Sequence, residues 1–119
     1  MKPLQINLPD KEGVPQDPLL IPMEPPHVVA LTDIGAYLRS HPDKAISATL
    51  TLLGMCAKSH LPARSDTDLE PYAQLVYDRL VQLGMDPVDI MDAGGSYLVE
   101  CMERLPKRVS PEILKTAGE

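Results

Sequence analysis

Residues 86–105 read DPVDIMDAGGSYLVECMERL, and the reading of this stretch decides the fold. Asp86-Pro87 is a helix start: an Asp side chain caps free N–H groups of the first turn, and Pro suits the first helical position. From there Val88, Met91, Gly95, Leu98, Met102 and Leu105 recur at alternating steps of three and four. That is the narrow apolar seam of a helix packed on another helix. Asp86, Asp89, Asp92, Glu100 and Glu103 line the outer, solvated side, and Pro106 ends the helix. Gly94-Gly95 at its centre is the anomaly. A helical Gly costs about 1 kcal/mol relative to Ala, so the pair needs a compensating use. Gly95 on the seam, with Ala93 and Gly94 beside it, makes a notch for a neighbouring backbone or a bulky side chain. The chain's own second helix is the expected occupant; the rival is a hinge between two separate helices. A phosphate loop does not fit, because AGGS is followed by no Lys and follows no strand.

Upstream, Leu69, Tyr72, Ala73, Val76, Leu80 and Leu83 give the strongest amphipathic pattern in the chain. It predicts a third helix capped by Ser65 or Asp66, with Pro71 accommodated in the first turn and Gly84 as the residue just past the end. SHPDKAISATLTLLGMCAKSH (40–60) predicts a second helix, with Pro42 first and Asp43 in its first turn. Ile46, Leu50, Leu53 and Ala57 form one stripe, while Ala45, Leu52, Met55 and Cys56 make the other side apolar too. A helix apolar nearly all round is a buried central one. Thr32 is the expected N-cap of a short helix over Asp33–Arg39. Ser110-Pro111-Glu112 opens a last short turn.

The N-terminal segment differs. Pro3, Pro9, Pro15, Pro18, Pro22, Pro25 and Pro26 are seven of the 13 prolines, and they bar a helix. Leu4, Ile6 and Leu8 nevertheless alternate with polar residues, and Leu19, Leu20 and Ile21 add apolar surface, so part of this arm is expected to lie on the body or on a partner. A PxxP spacing at Pro22 and Pro25 has a possible docking use. The expected layout is a Pro-rich extended arm over 1–30, a helical domain over 31–106, and a short turn and tail over 107–119. The fold class is all-α, a small bundle of about four helices.

Composition supports this. At 119 residues the chain makes one domain, and with four Tyr, no Phe and no Trp its core falls to Leu, Val, Ile, Ala and Met. A formal charge of −6, from 17 acids and 11 bases, argues against a phosphate-binding surface. Arg104, Lys107 and Arg108, the one basic cluster, sit at the end of the fourth helix, where the dipole favours them. Direct nucleic-acid binding is therefore not expected. Two cysteines make no disulfide framework. With no signal peptide and no apolar run of membrane-spanning length, a cytoplasmic protein with reduced thiols is expected, without membrane attachment.

Catalytic and metal chemistry find little support. Cys56 and His60, four apart on the second helix, could face one ion, but zinc needs further ligands, and Cys101, His27 and His41 show no ligand spacing. As nucleophile and base the pair lacks an orienting group and an oxyanion donor. Asp66-Thr67-Asp68 lacks the Gly and Glu of a calcium loop, so capping explains it better. No enzyme activity, cofactor or metal is expected.

One resemblance is carried by LVYDRLVQLGMDPVDI, then YLVECMERLP, then the P-x-x-x-S-P-E-I-L turn, over roughly the last 55 residues. In this order they resemble a helical module of phage replication accessory proteins of the helicase-loader kind. The sequence departs from that pattern at Gly94-Gly95, where the pattern more often has large side chains. The resemblance implies a small protein that grips another protein, and no site residue is carried over from it. The expected function is protein–protein interaction, as adaptor, inhibitor or assembly factor, through Met91, Gly94, Gly95, Leu98 and Met102 of the fourth helix and Leu19, Leu20 and Ile21 of the arm. A homodimer through the fourth helix is compatible with the seam. The alternatives are a replication accessory role engaging a helicase or other nucleic-acid machinery, and a metal- or Cys-dependent helical enzyme.

Overall fold

An apolar helix in the middle of a small chain must be wrapped by its neighbours, and α2 (Ala45–Cys56) is so wrapped. The computed structural model describes residues 1–64 and 68–104. In it α1 (Val28–Ser40), α3 (Leu69–Gln82) and α4 (Pro87–Glu103) all pack on α2. Ala48, Leu52, Leu53 and Cys56 of α2 are completely buried, and Leu50 nearly so. Two threonines share this burial because their hydroxyls are satisfied. Thr49 donates to the Ala45 carbonyl at 2.8 Å, one turn back. Thr51 donates to the Leu69 carbonyl at 3.1 Å, tying α2 to the first turn of α3.

Two glycines set how closely the helices meet. A Cβ on Gly54 would collide with Val76 and with the Tyr72 hydroxyl, so α3 lies directly on the bare backbone of α2. Tyr72 is anchored there by donating to the Pro62 carbonyl at 2.6 Å. On the other side, a Cβ on Gly94 would stand 2.7 Å from Thr49 Cγ2, whereas one on Gly95 would meet nothing within 4 Å. The notch is therefore real and is filled by α2, but it lies at Gly94. The stripe that α4 buries is Ile90, Gly94, Tyr97 and Cys101. The expected seam runs beside it, about 100° round the helix. Both stripes are apolar, and the larger number of Met and Leu residues on the second obscured which one the core takes. α4 runs unbroken through both glycines, so the hinge reading is overturned.

Helix ends follow local chemistry where that chemistry is unambiguous. Asp86 Oδ1 accepts the Val88 N–H at 2.8 Å with Pro87 first in α4, and Gly84 takes φ +103° just past α3. α3 begins after Asp68, with Pro71 in its first turn; the expected caps Ser65 and Asp66 lie outside the described residues, as do 105–119 with Leu105, Pro106 and the final turn. α1 begins four residues before Thr32. His27 Nδ1 accepts the Val29 N–H at 3.2 Å, and the Thr32 hydroxyl instead donates back to the Val28 carbonyl at 2.8 Å. A Thr inside a helix can bond the preceding turn as readily as it caps a new one. Pro42–Lys44 form a 3₁₀ turn rather than the first turn of α2.

The fold is not purely helical. β1 (Leu4–Ile6) and β2 (Leu19–Ile21) pair antiparallel, with Leu4 opposite Ile21, Gln5 opposite Leu20 and Ile6 opposite Leu19. At the tip Lys11 and Val14 exchange N–H···O bonds of 3.0 and 2.9 Å around Glu12 and Gly13. Those two residues have φ +53° and +78°, the paired positive values of a tight hairpin turn whose twist matches the strands. Strands and tip share one register. Extending it sets Asn7 opposite Pro18, Gln16 opposite Pro9 and Asp10 opposite Pro15, so proline, lacking an N–H, interrupts the ladder between them. Leu4, Ile6, Ile21 and Met23 are buried in the same core as the helices. The strand direction continues past β2: Glu24 N–H donates to the Cys56 carbonyl and Lys58 N–H to the Pro22 carbonyl, each at 2.9 Å. Tyr97 of α4 donates to the Lys2 carbonyl at 2.7 Å.

The two adjacent glycines of α4 predict opposite mutational effects. Gly94→Ala should destabilise the fold by about 1–3 kcal/mol through overpacking against Thr49. Gly95→Ala should stabilise it by up to about 1 kcal/mol through helix propensity. Urea unfolding followed by circular dichroism measures both, and equal effects would refute the assignment of the notch.

Candidate functional site

α4 carries more apolar surface than its core stripe uses. Met91, Gly95, Leu98 and Met102 are half-buried beside that stripe, and Val88 and Val99, further round, are 66 % and 59 % exposed. Successive residues turn about 100°, which makes these six one continuous band running the length of the helix. α1 bounds one margin: a Cβ on Gly35 would stand 4.0 Å from Met102 Sδ, at ordinary contact distance. The other margin is polar, with exposed Asp92, Ser96 and Glu103. Unbranched methionines adapt their shape to whatever they touch.

The eight residues expected to bind a partner fall into separate groups. Met91, Gly95, Leu98 and Met102 lie on the surface band. Gly94 does not, because α2 occupies its position. Ile21 is completely buried in the core, Leu19 is half-buried, and Leu20, on the opposite face of β2, is 52 % exposed. The period of two in a strand sends neighbours to opposite sides, so the LLI run could not act as one surface. The hairpin meets α4 elsewhere. Leu4, Gln5 and Asn7 line a cleft of about 220 Å³ with Asp89, Asp92 and Ala93, away from Met91 and Leu98.

The Cys56–His60 pairing is not assembled. α2 ends at Cys56 and Ala57 is extended, so His60 is not on the helix at all. It sits exposed at φ +68°, its Nδ1 is 2.8 Å from the Ser59 hydroxyl, and its carbonyl accepts from Arg79 Nε at 3.0 Å. A groove of about 580 Å³ between this bend and α3 is lined by His60, Leu75, Asp78 and Arg79 among others, and among the described residues no Ser, Thr or Cys lines it. Among the described residues no group of three or more His, Cys, Asp or Glu side chains is placed to hold a metal ion. None of the described helices is long and apolar enough to cross a membrane. Arg104 pairs with Glu100 at 3.4 Å; Lys107 and Arg108, the rest of the basic cluster, lie outside the described residues.

Cys56 instead meets Cys101, Sγ to Sγ 3.7 Å, with both side chains fully buried. Sequence spacing gave no sign of this pair; the available signal was that each cysteine sits on the buried stripe of its helix. The shared hydrogen bond and burial push the Cys56 thiol up. Burial likewise pushes Tyr72 up and Tyr97 up to about 12. Comparison with known protein families, with curated proteins and with solved structures returned no match.

The tyrosine shifts set an alkaline limit on stability. An unfolded Tyr ionises near pH 10, while folded Tyr97 holds its proton to about pH 12. Between those values the unfolded chain binds fewer protons, so stability is complete below about pH 10 and falls as pH rises toward 12. Tyr97→Phe should lose about 1 kcal/mol at neutral pH with the hydrogen bond to Lys2, and its stability should fall less steeply above pH 10 than that of the unaltered chain. Urea midpoints across that range measure both effects.

Proposed function

We propose that the protein is a non-catalytic protein-interaction module that binds through the apolar band of α4. The observation that carries this reading is the second stripe. Met91, Leu98 and Met102 are only half-covered, and Val88 and Val99 are left in solvent, on a helix whose core contacts are already complete through Ile90, Tyr97 and Cys101. Natural helices that need one buried face present polar residues on the rest, so an apolar arc extending well past the core contact is unused surface unless something covers it. The acidic margin at Asp92 and Glu103, on a chain of net charge −6, favours a partner whose apolar residues are flanked by Lys or Arg. Among the described residues no nucleophile and base are joined, which fits an adaptor, inhibitor or assembly factor better than an enzyme.

Val99→Asp, with Val29→Asp as its control on α1, tests the reading. Val99→Asp replaces an exposed side chain and should change stability by no more than about 0.5 kcal/mol. Capture from the source cells with the unaltered chain, with Val99→Asp and with Val29→Asp should then show a partner retained by the first and third and lost by the second. Binding to that partner should weaken as salt is raised. Light scattering across a concentration range gives the homodimer its own readout, a mass that doubles in the unaltered chain and not in Val99→Asp. Equal capture by all three chains, with one monomeric mass for each, would refute the proposed surface.

A further inference from the structure

Cys56 is the last residue of α2 and Cys101 lies in the last turn of α4, so their contact joins the C-terminal ends of two helices that are otherwise linked only by packing. The Sγ atoms are 3.7 Å apart and nothing stands between them. The sulfurs are already in contact, so less than 2 Å separates them from the roughly 2 Å of a disulfide bond. Both thiols are completely buried, and Cys101 lies in the last turn of α4, where end fraying exposes a site at far lower cost than global unfolding. Cys56 also carries the carbonyl that accepts from Glu24 N–H, so the same point holds the chain segment that follows β2.

We propose that Cys56 and Cys101 form a redox-modification site, at which hydrogen peroxide converts the thiol pair into an internal disulfide that staples α2 to α4. When the last turn of α4 opens, the thiolate of Cys101 attacks a peroxide oxygen; the O–O bond breaks, and the departing hydroxide takes up the proton that Cys101 released and leaves as water. Cys101 is then a sulfenic acid. Cys56 Sγ attacks its sulfur, the S–O bond breaks, and the oxygen leaves with the Cys56 proton as a second water. Two thiols lose two electrons and two protons in total, and one peroxide becomes two waters. The helix C-termini disfavour negative charge, so the first step is slow and is governed by opening of the last turn of α4. The ring closed by the bond spans α3 and most of α4, which restricts the unfolded chain and raises stability. It also fixes the residue next to Met102, at one end of the apolar band.

The full chain, reduced and then treated with one equivalent of hydrogen peroxide under native conditions, tests this. Intact mass under denaturing, non-reducing conditions should fall by two hydrogens. Proteolysis should yield one linked pair of peptides containing Cys56 and Cys101, the protein should remain at its original oligomeric mass, and the urea midpoint should rise and return on reduction. Cys101→Ala should show none of these changes. A gain of oxygen atoms in place of lost hydrogens, a disulfide between two chains, or oxidation only after the protein is unfolded would each overturn the proposal.

Discussion

The bare backbone of α2 at Gly54, and the bare backbone of α4 where it meets α2 at Gly94, are the constraint on which the rest of the structure depends. Each glycine stands where a Cβ would overlap a neighbour: Tyr72 and Val76 on one side, Thr49 on the other. With no aromatic residue larger than Tyr to fill space, the chain builds its core by bringing backbones together instead of by inserting bulk. Close approach compensates for the weak helix propensity of Gly with dispersion contacts along both helix pairs. It also explains why the buried threonines lie where they do. A short β-branched side chain fits a narrow interface, and each hydroxyl finds a carbonyl at hand, Thr49 on Ala45 and Thr51 on Leu69.

Much of the architecture was legible because it is encoded locally. The start of α4 at Asp86-Pro87, the end of α3 before Gly84 and the central position of α2 each follow from residues a few positions apart. What was not legible depends on residues far apart in sequence. The hairpin announces itself only by three-residue strands, and its prolines read as an extended arm until the shared register shows them placed between strand and tip. Cys56 and Cys101 have no spacing that links them; their contact exists only because α2 and α4 cross. The core stripe of α4 was misplaced by one residue because apolar side chains cover two adjoining stripes, and a periodicity can be counted along either. Ile90, Gly94, Tyr97 and Cys101 win because the glycine admits α2, a choice made by α2 as much as by α4.

That ambiguity is itself informative about the site. A helix with one function in the fold needs one apolar face, and here the second face is made of methionine, leucine and valine in an order that a core could equally have used. The expected contact residues divided along this line. Those on the second face remained at the surface, and Gly94 and Ile21, which the fold requires, did not. Residues already engaged in holding α2, α4 and β2 together are poorly placed to recognise anything else. A recognition surface on this molecule must draw on side chains whose loss the core would not register.

The hydrogen bond from Tyr97 to the Lys2 carbonyl has a consequence for how the molecule comes into being. Leu4 and Ile6 are synthesised before the helix that carries Tyr97, yet the surface they cover includes that helix. Until that helix is made those apolar residues have no completed core to enter, and a lone two-stranded ribbon is marginal in water. The prolines set between its strands and its tip take on a protective meaning in that interval. They deny the waiting ribbon the long run of paired N–H groups by which neighbouring nascent chains would join it edge to edge. The structural oddity of an interrupted ladder thus becomes a safeguard that operates before the protein is whole.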